Sequence, residues 1–413
     1  MSEPLYKWET LDQLLSMAGD VSYVAYPDRL ATNFKNLRDS LTANYPRIGI
    51  GYSYKTNYLP RFCLEAERLG LYAEVVSGME YEIARHLGIA GDRIIFNGPI
   101  KSPDELRRAF TDGALVNVDS LSEAELISAI AAETNSASIR LGLRCNLDLS
   151  WKGRESRFGL SEASGELDAA FSRLSERPNI RIVGLHCHTS FDRSADSYAR
   201  RIRRLIELSD RLFGGRVPDF LDVGGGICGP MPSALAQQLS IAPPSYDAYA
   251  EAICTPLRKR YGSDGPKLII EPGVGLVGNA FDYVYRVEHV KQVGSRWFGV
   301  TSGAAHQIKI VPNEVSPVTT LHRAPESTQG ARSPGPTDLV GFTCLEHDLI
   351  VRGLEGPVAV GDIAVSECTG AYSMVISSEF IRTTPPVYEM TKAGWKLLRR
   401  RQDTQELLQL YHW

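Results

Sequence analysis

Long apolar runs are missing from this 413-residue chain. None approaches the ~20 residues a helix needs to cross a bilayer, so no membrane span is expected. A basic head followed by an apolar stretch is also absent. The chain opens Met1-Ser2-Glu3-Pro4 instead, and no signal peptide is expected. Neither sign of charge prevails. Lys and Arg total 45 against 49 Asp and Glu, net −4, which gives no general reason to expect nucleic acid or anionic membrane as a partner. The seven cysteines are odd in number and scattered, without a CxxC pair, so no disulfide framework is expected. A reducing cytoplasm fits that usage.

What is present is a rhythm. Short apolar runs alternate with amphipathic stretches at Ile48–Tyr54, Leu71–Val76, Arg93–Phe96, Ala114–Val118, Ser138–Leu143, Ile180–His186, Phe220–Val223 and Leu268–Ile270. The clearest helical stretch is Ala195–Phe213, where Tyr198, Ile202, Leu205, Ser209 and Leu212 recur at helical spacing and Gly214-Gly215 end the run. Strands separated by helices pair in parallel through right-handed crossovers. Eight such units predict an α/β fold, a (β/α)8 barrel. Polar or glycine residues follow each strand: Lys55-Thr56-Asn57, Ser77-Gly78 with Glu80, Asn97-Gly98, Asp119-Ser120, Arg144 with Asn146, His188, Gly224-Gly225-Gly226 and Glu271. One polar loop means little. Recurrence at eight successive strand ends is what the active-site face of a barrel requires.

After Glu271 the texture changes. Val284–Val293, Trp297–Val300, Ile308–Val311, Asp338–Phe342, Leu349–Arg352 and Ile363–Ser366 are short, β-rich and broken by glycine and proline. They predict a separate β-rich domain, a β-barrel or sandwich, which the early strand Ser22–Tyr26 joins. The expected division is a barrel over residues 30–280 and a β domain made of 1–29 and 281–413. Ala324–Pro336, rich in Pro, Gly and Ser, reads as a loop.

Several residues at the strand ends can carry chemistry. Lys55 offers an amine for a Schiff base, or is an exposed strand-end lysine. Gly224-Gly225-Gly226 would let backbone N–H groups close on a phosphate, although three glycines also make turns. His186 and His188 flank Cys187 on a strand and so face one side. That geometry is open to a metal, but no third ligand stands at suitable spacing, and none is expected.

Six motifs occur in a telling order: Tyr52-Ser53-Tyr54-Lys55-Thr56-Asn57, Gly184-Leu185-His186-Cys187-His188, Asp222-Val223-Gly224-Gly225-Gly226, Glu271-Pro272-Gly273, Cys344 with Asp348, and Gly370-Ala371-Tyr372-Ser373. Together they resemble the ornithine/diaminopimelate decarboxylase family, the fold-type III, alanine-racemase-like pyridoxal phosphate enzymes. The resemblance runs from about Tyr23 to Phe380. It implies pyridoxal 5′-phosphate as cofactor, a barrel plus a β domain, and decarboxylation of a small amino acid by a homodimer with shared active sites. Lys55 would anchor the cofactor, Glu271 would pair with the pyridine nitrogen, and His188 would stack on the ring. Alanine racemases place an arginine where Glu271 stands, so Glu271 argues for decarboxylation over racemisation. The resemblance gives the phosphate to Gly224, Gly225, Gly226 and Tyr372, with Ser190 as a further ligand, and sets Arg144 near the phenolic oxygen. Cys344, from the partner subunit, would protonate the carbanion left by CO2, and Arg157 would pair with Asp348 across the dimer.

Three departures bear on substrate. Val274 stands where the family reads Glu-Pro-Gly-Arg, and Thr189-Ser190-Phe191 stands where a Gly-Ser pair is typical. Leu345 follows Cys344, where ornithine and diaminopimelate decarboxylases carry an acidic residue that reads the distal amine. The stretch His306-Gln307-Ile308-Lys309 also lacks the Arg-x-x-x-Tyr element that holds a distal carboxylate. His306, Lys309, Glu346 and His347 would recognise something polar or anionic, or form a plain solvated loop. The expectation is a specialised decarboxylase of a modified or conjugated amino acid, such as a siderophore precursor or antibiotic building block of secondary metabolism. Diaminopimelate decarboxylase and a pyridoxal-dependent racemase or epimerase are the alternatives.

Overall fold

A computed structural model describes residues 6–133, 138–147, 155–190, 192–308, 315–326 and 331–412. The chain divides into two compact units. One holds Ala31–Gly229 and Pro243–Leu276; the other holds the chain before Ala31, Pro230–Ala242 and the chain after Leu276. The segment Pro230–Ala242 lies inside the range expected for the barrel, yet it groups with the β-rich unit.

In order, β1 (Val21–Ala25) is followed by β2 (Ile48–Ser53), β3 (Tyr72–Val75), β4 (Ile94–Phe96), β5 (Leu115–Val118) and β6 (Ile139–Asn146). The two-residue β7 (Leu160–Ser161), then β8 (Ile180–His186), β9 (Phe220–Asp222) and β10 (Lys267–Ile270) complete the first half of the chain. Strands β2 to β10 form one parallel sheet in the order β5-β4-β3-β2-β10-β9-β8-β6-β7. Pairing of β5 with β6, Val116 opposite Leu141, closes it into a barrel. The apolar runs read as strands because parallel strands covered on both faces have no solvent side on which to alternate.

Helices return the chain between strands, and their ends are encoded locally. Before Pro103–Asp112, Ser102 and Glu105 form a capping box, and Gly113 ends the helix at φ 77°. Helix Ala195–Leu212 starts on Ser194, whose hydroxyl accepts from Ser197 N, and buries Tyr198, Ile202, Leu205 and Ser209 on one stripe.

The barrel is filled, not hollow. Ile95, Val183, Phe220 and Ile269 come from strands on opposite sides and meet in one apolar cluster. Gly184 makes room for it, since a Cβ there would lie 2.5 Å from the Phe220 ring. Above this floor the interior turns polar.

The second unit is β-rich. Strands β11 (Phe281–Val293), β12 (Arg296–Thr301), β13 (Thr319–His322), β14 (Thr337–Val340), β15 (Leu349–Leu354), β16 (Ile363–Ser366), β17 (Val387–Thr391) and β18 (Gly394–Arg399) make a mixed sheet with β1. The early strand β1 runs antiparallel to β11 and parallel to β17. Leu11, Leu14 and Leu15 of an N-terminal helix, with Val24, Val284, Ile363 and Val365, form its core. The strand expected at Ile308–Val311 is not found at Ile308, which lies in a turn, and its other residues fall outside those described. No helix among the described residues is long and apolar enough to cross a membrane.

Candidate active site

Every long strand of the barrel delivers a polar side chain to the same end. Lys55 stands in the single turn Tyr54–Thr56 after β2, and its Nζ lies 2.6 Å from Glu74 Oε1 on β3. Asn97, after β4, donates through Nδ2 to Glu74 Oε1 at 2.9 Å and to Glu271 Oε1 at 2.7 Å. Its own Oδ1 accepts from Asn117 of β5 at 2.7 Å. Arg144 of β6 donates to Asp119 at 2.7 Å and lies over the Phe158 ring. The ends of five strands, β2 to β6, and the turn after β10 are thereby tied together by side chains alone.

Glu271 is buried at the centre of this network. Burial alone would push its carboxyl up, but the His186 ring, Lys55 and the Asn97 hydrogen bond outweigh that and hold it well below the usual carboxylate range. Neighbouring Asp222 goes the other way: burial first, then the Glu271 charge, raises it well above its ordinary value. The two neighbouring acids are thus driven apart, Glu271 toward its charged form and Asp222 toward its neutral one. His186 Nε2 sits 3.6 Å from Glu271, an ion-pair distance rather than a hydrogen bond, and among the described residues neither ring nitrogen has a hydrogen-bond partner. The sequence offered no third ligand beside the histidines. The fold brings Asp222 and Glu271 to His186, with ligating atoms within 4.8 Å of one another.

His188 accepts the Gly225 N–H on Nδ1 at 3.0 Å, and its Nε2 lies 3.3 Å from the exposed Ser190 hydroxyl. Burial, then the Lys55 and Arg144 charges, hold its ring well below the ordinary imidazole range. It is neutral, as an acceptor at Nδ1 must be.

The glycine turn cannot carry side chains. A Cβ at Gly224 would meet Cys187 O at 2.7 Å, and one at Gly225 would meet Glu271 O at 2.2 Å. Gly224 and Gly226 have φ of 69° and 100°. Gly224 N–H donates to Asp222 at 2.8 Å, whereas the N–H groups of Gly226 and Ile227 have no protein acceptor among the described residues. A lysine amine, a side-chain-free turn with open donors, and a buried charged carboxylate together suit pyridoxal phosphate.

Apart from Arg157, the remaining expected residues lie in the β-rich unit, away from this cluster in the chain. Cys344 is exposed, in a loop organised by Asp348. Asp348 accepts Ala305 N–H at 2.7 Å and the Thr343 hydroxyl at 2.6 Å, so its oxygens are engaged within their own chain. Arg157, in the barrel unit, is exposed and packs over Phe158, with its guanidinium 4.1 Å from the ring centroid. Tyr372 adopts φ 61° and is half-buried. His306 sits edge-on between Phe342 and Phe380, and burial lowers its basicity despite the Asp348 charge. Leu345, Glu346 and His347 are exposed; Lys309 lies outside the described residues.

Glu74, Asn117 and Asp222 had no assigned role in the sequence, and Asn97, Glu80 and Asp119 counted only as strand-end polarity. Glu74 had a signal: a lone acid inside the apolar run Leu71–Val76. A charge there is either misplaced or faces a filled polar interior.

Comparison with known proteins follows the same geometry. Residues 29–278 match the family model described as "Pyridoxal-dependent decarboxylase, pyridoxal binding domain". The diaminopimelate decarboxylase of Pseudomonas aeruginosa is 28% identical over 416 residues, covering 96% of this chain and 94% of its own. That of Aquifex aeolicus is 26% identical and covers 95% and 92%. Among solved structures, M. jannaschii diaminopimelate decarboxylase with L-lysine superposes with TM-score 0.86 at 23% identity, over 97% of this chain and 94% of that one.

Proposed function

The chain belongs to the ornithine/diaminopimelate decarboxylase family of fold-type III pyridoxal-dependent enzymes, and within it we propose diaminopimelate as the first substrate to consider. Amino-acid decarboxylation with pyridoxal phosphate is the family's chemistry. Full-length relatives bearing the diaminopimelate name support the substrate. The observation that carries the chemistry is the buried, charged Glu271 tied through Asn97 and Glu74 to Lys55.

Bound pyridoxal phosphate supplies an electron sink for the pair left when the Cα–CO2 bond breaks. Lys55 Nζ would be the residue that holds the cofactor covalently. Glu271, kept charged, would face the ring nitrogen and favour its protonated form. The neutral His188 ring offers an apolar face for stacking. The Gly224–Gly226 turn would take the phosphate, with Tyr372 and Ser190 as further candidate ligands, and Arg144 would serve the phenolic oxygen. Cys344 gives its Sγ proton to Cα once CO2 has left and regains one from solvent. A homodimer, with Cys344 and Arg157 working across subunits, is the assembly in which we place this chemistry. Seven free thiols suit a reducing cytoplasm.

A second reading has one specific observation behind it. Leu345 is apolar and 38% exposed beside Cys344, and an apolar side chain does not bind an ammonium group. A modified or conjugated amino acid, as in siderophore or antibiotic assembly, would not need that anchor. CO2 release from a panel of diaminopimelate, ornithine, lysine and N-acylated diamino acids, each as D and L forms, decides between them. Release from diaminopimelate supports the first reading. Release only from a conjugated member replaces it with the second, and racemised product without CO2 overturns both.

A further inference from the structure

Among the described residues Arg201 is the largest fully buried side chain, and it makes no ion pair with any of their carboxylates. It lies on the helix Ala195–Leu212 at 0% exposure. Among the described residues its guanidinium donates only to oxygens that bear no charge. Nη1 reaches the Val223 and Gly225 carbonyls at 3.4 and 3.3 Å. Nη2 reaches those of Thr189 and Asp192 at 3.0 and 2.8 Å, and the Ser197 hydroxyl at 3.4 Å. The guanidinium carbon stacks 4.1 Å from the Tyr198 ring centroid, and Nε has no partner. A buried cation without a counter-charge is strongly disfavoured unless something else supplies one.

The place of this charge is informative. Val223 and Gly225 belong to the glycine turn, so the guanidinium lies directly behind it. Tyr198 OH donates to the same Gly225 carbonyl at 2.6 Å. That carbonyl and the Gly226 N–H share one planar trans peptide and point in opposite directions. Two donors on the oxygen, one of them cationic, polarise the peptide and strengthen its N–H as a donor. The Gly226 N–H is one of the two left open in the turn. A phosphate seated there is the counter-charge Arg201 lacks, and Val274 offers no cation from the neighbouring loop.

We propose that Arg201 is the charge that secures the cofactor's phosphate, acting through the Gly225–Gly226 peptide rather than by touching it. It is a positioning residue. The inference rests on pyridoxal phosphate as the cofactor and is independent of the amino-acid substrate. The nearest rival is Arg193, which is exposed and whose Cγ lies 4.0 Å from where a Gly226 side chain would begin.

The test measures binding, not turnover. Apparent dissociation constants for pyridoxal 5′-phosphate and for pyridoxal, which has no phosphate, are read from the visible absorbance of the reconstituted enzyme. Arg201→Met should weaken the phosphate form about tenfold or more, equivalent to ~1.4 kcal/mol, and change pyridoxal binding less than about twofold. Arg201→Lys should recover most of the loss. Equal weakening of both ligands would reduce Arg201 to a prop for the loop and overturn the proposal, as would no weakening of either. If Arg201→Met does not fold, the exposed Arg193→Gln decides. Unchanged binding there supports Arg201, and a loss confined to the phosphate form transfers the role to Arg193. Because no step depends on CO2 release, a wrong substrate leaves this result intact.

Discussion

The contact between Lys55 and Glu74 sets what the active-site lysine can do. Nζ is held toward the barrel axis by an acid with no exposure of its own, so the amine is aimed before any cofactor arrives. Lys55→Ala should therefore abolish both turnover and covalent attachment. The rate should fall roughly a thousandfold or more, and borohydride treatment should fix no cofactor to the protein. A variant that keeps its rate would show that another residue is the anchor. Glu271 makes a sharper test of the electronic argument. Glu271→Gln keeps the size and the Asn97 contact but loses the charge, and should cost on the order of 10²–10³ in rate if that charge holds the ring proton. An unchanged rate would mean the carboxylate is structural. Both substitutions sit on residues visible in the sequence; Glu74, which pairs with the lysine, showed only as a lone acid in an apolar run, because nothing in the sequence names the partner of a side chain facing a barrel interior.

Strands and turns were easier to read than their partners. The eight barrel strands lie within a few residues of where the apolar runs place them, because a run covered on both faces leaves a strong signal. In the β-rich unit β13, β17 and β18 went unread. Thr319–His322 is short and half-exposed, while β17 and β18 pair as a hairpin around Thr391 and Gly394 without a clean apolar alternation. The glycine turn was legible as residues, but its need for glycine comes from Glu271, far along the chain. Gly225→Ala would press a Cβ against the Glu271 carbonyl at 2.2 Å. It should destabilise the enzyme by about 1–3 kcal/mol and weaken cofactor binding, read from urea midpoints and cofactor absorbance. The helix Gly78–His86 makes a pH prediction. Its Glu80 accepts the Val76 N–H at 2.8 Å, and burial, with Glu74 nearby, raises its carboxyl to about 7. A raised acid favours the folded state below its unfolded value and loses that contribution as pH climbs through about 7. Glu80→Gln should therefore stabilise the protein by ~3 kcal/mol at pH 8 and hardly at all near pH 4.5. Equal urea midpoints for variant and parent at pH 8 would contradict the shift.

At the scale of the whole molecule, the residues proposed to carry the chemistry fall in two compact units: Lys55, His188 and Glu271 in the barrel, Cys344 and Tyr372 in the β-rich one. Asp348, the expected partner of Arg157 across the dimer, holds the Cys344 loop through Ala305 and Thr343 within its own chain. The loop is thus shaped within one chain while its thiol faces outward, as a group serving another chain must. If active sites are shared, damage at Lys55 and damage at Cys344 need not fall on the same site. Lys55→Ala and Cys344→Ala chains, each nearly inactive alone, should regain activity when unfolded together and refolded. Random pairing makes half of the dimers mixed, and each mixed dimer has one intact site, so roughly a quarter of parental activity is expected. Refolding each variant separately provides the baseline. If the mixture stays at that baseline while sedimentation shows mixed dimers, Lys55 and Cys344 serve one site from one chain, and the thiol must reach the barrel of its own subunit. If sedimentation finds only monomers in an active parent, the shared site fails outright, and the outward-facing thiol needs another explanation.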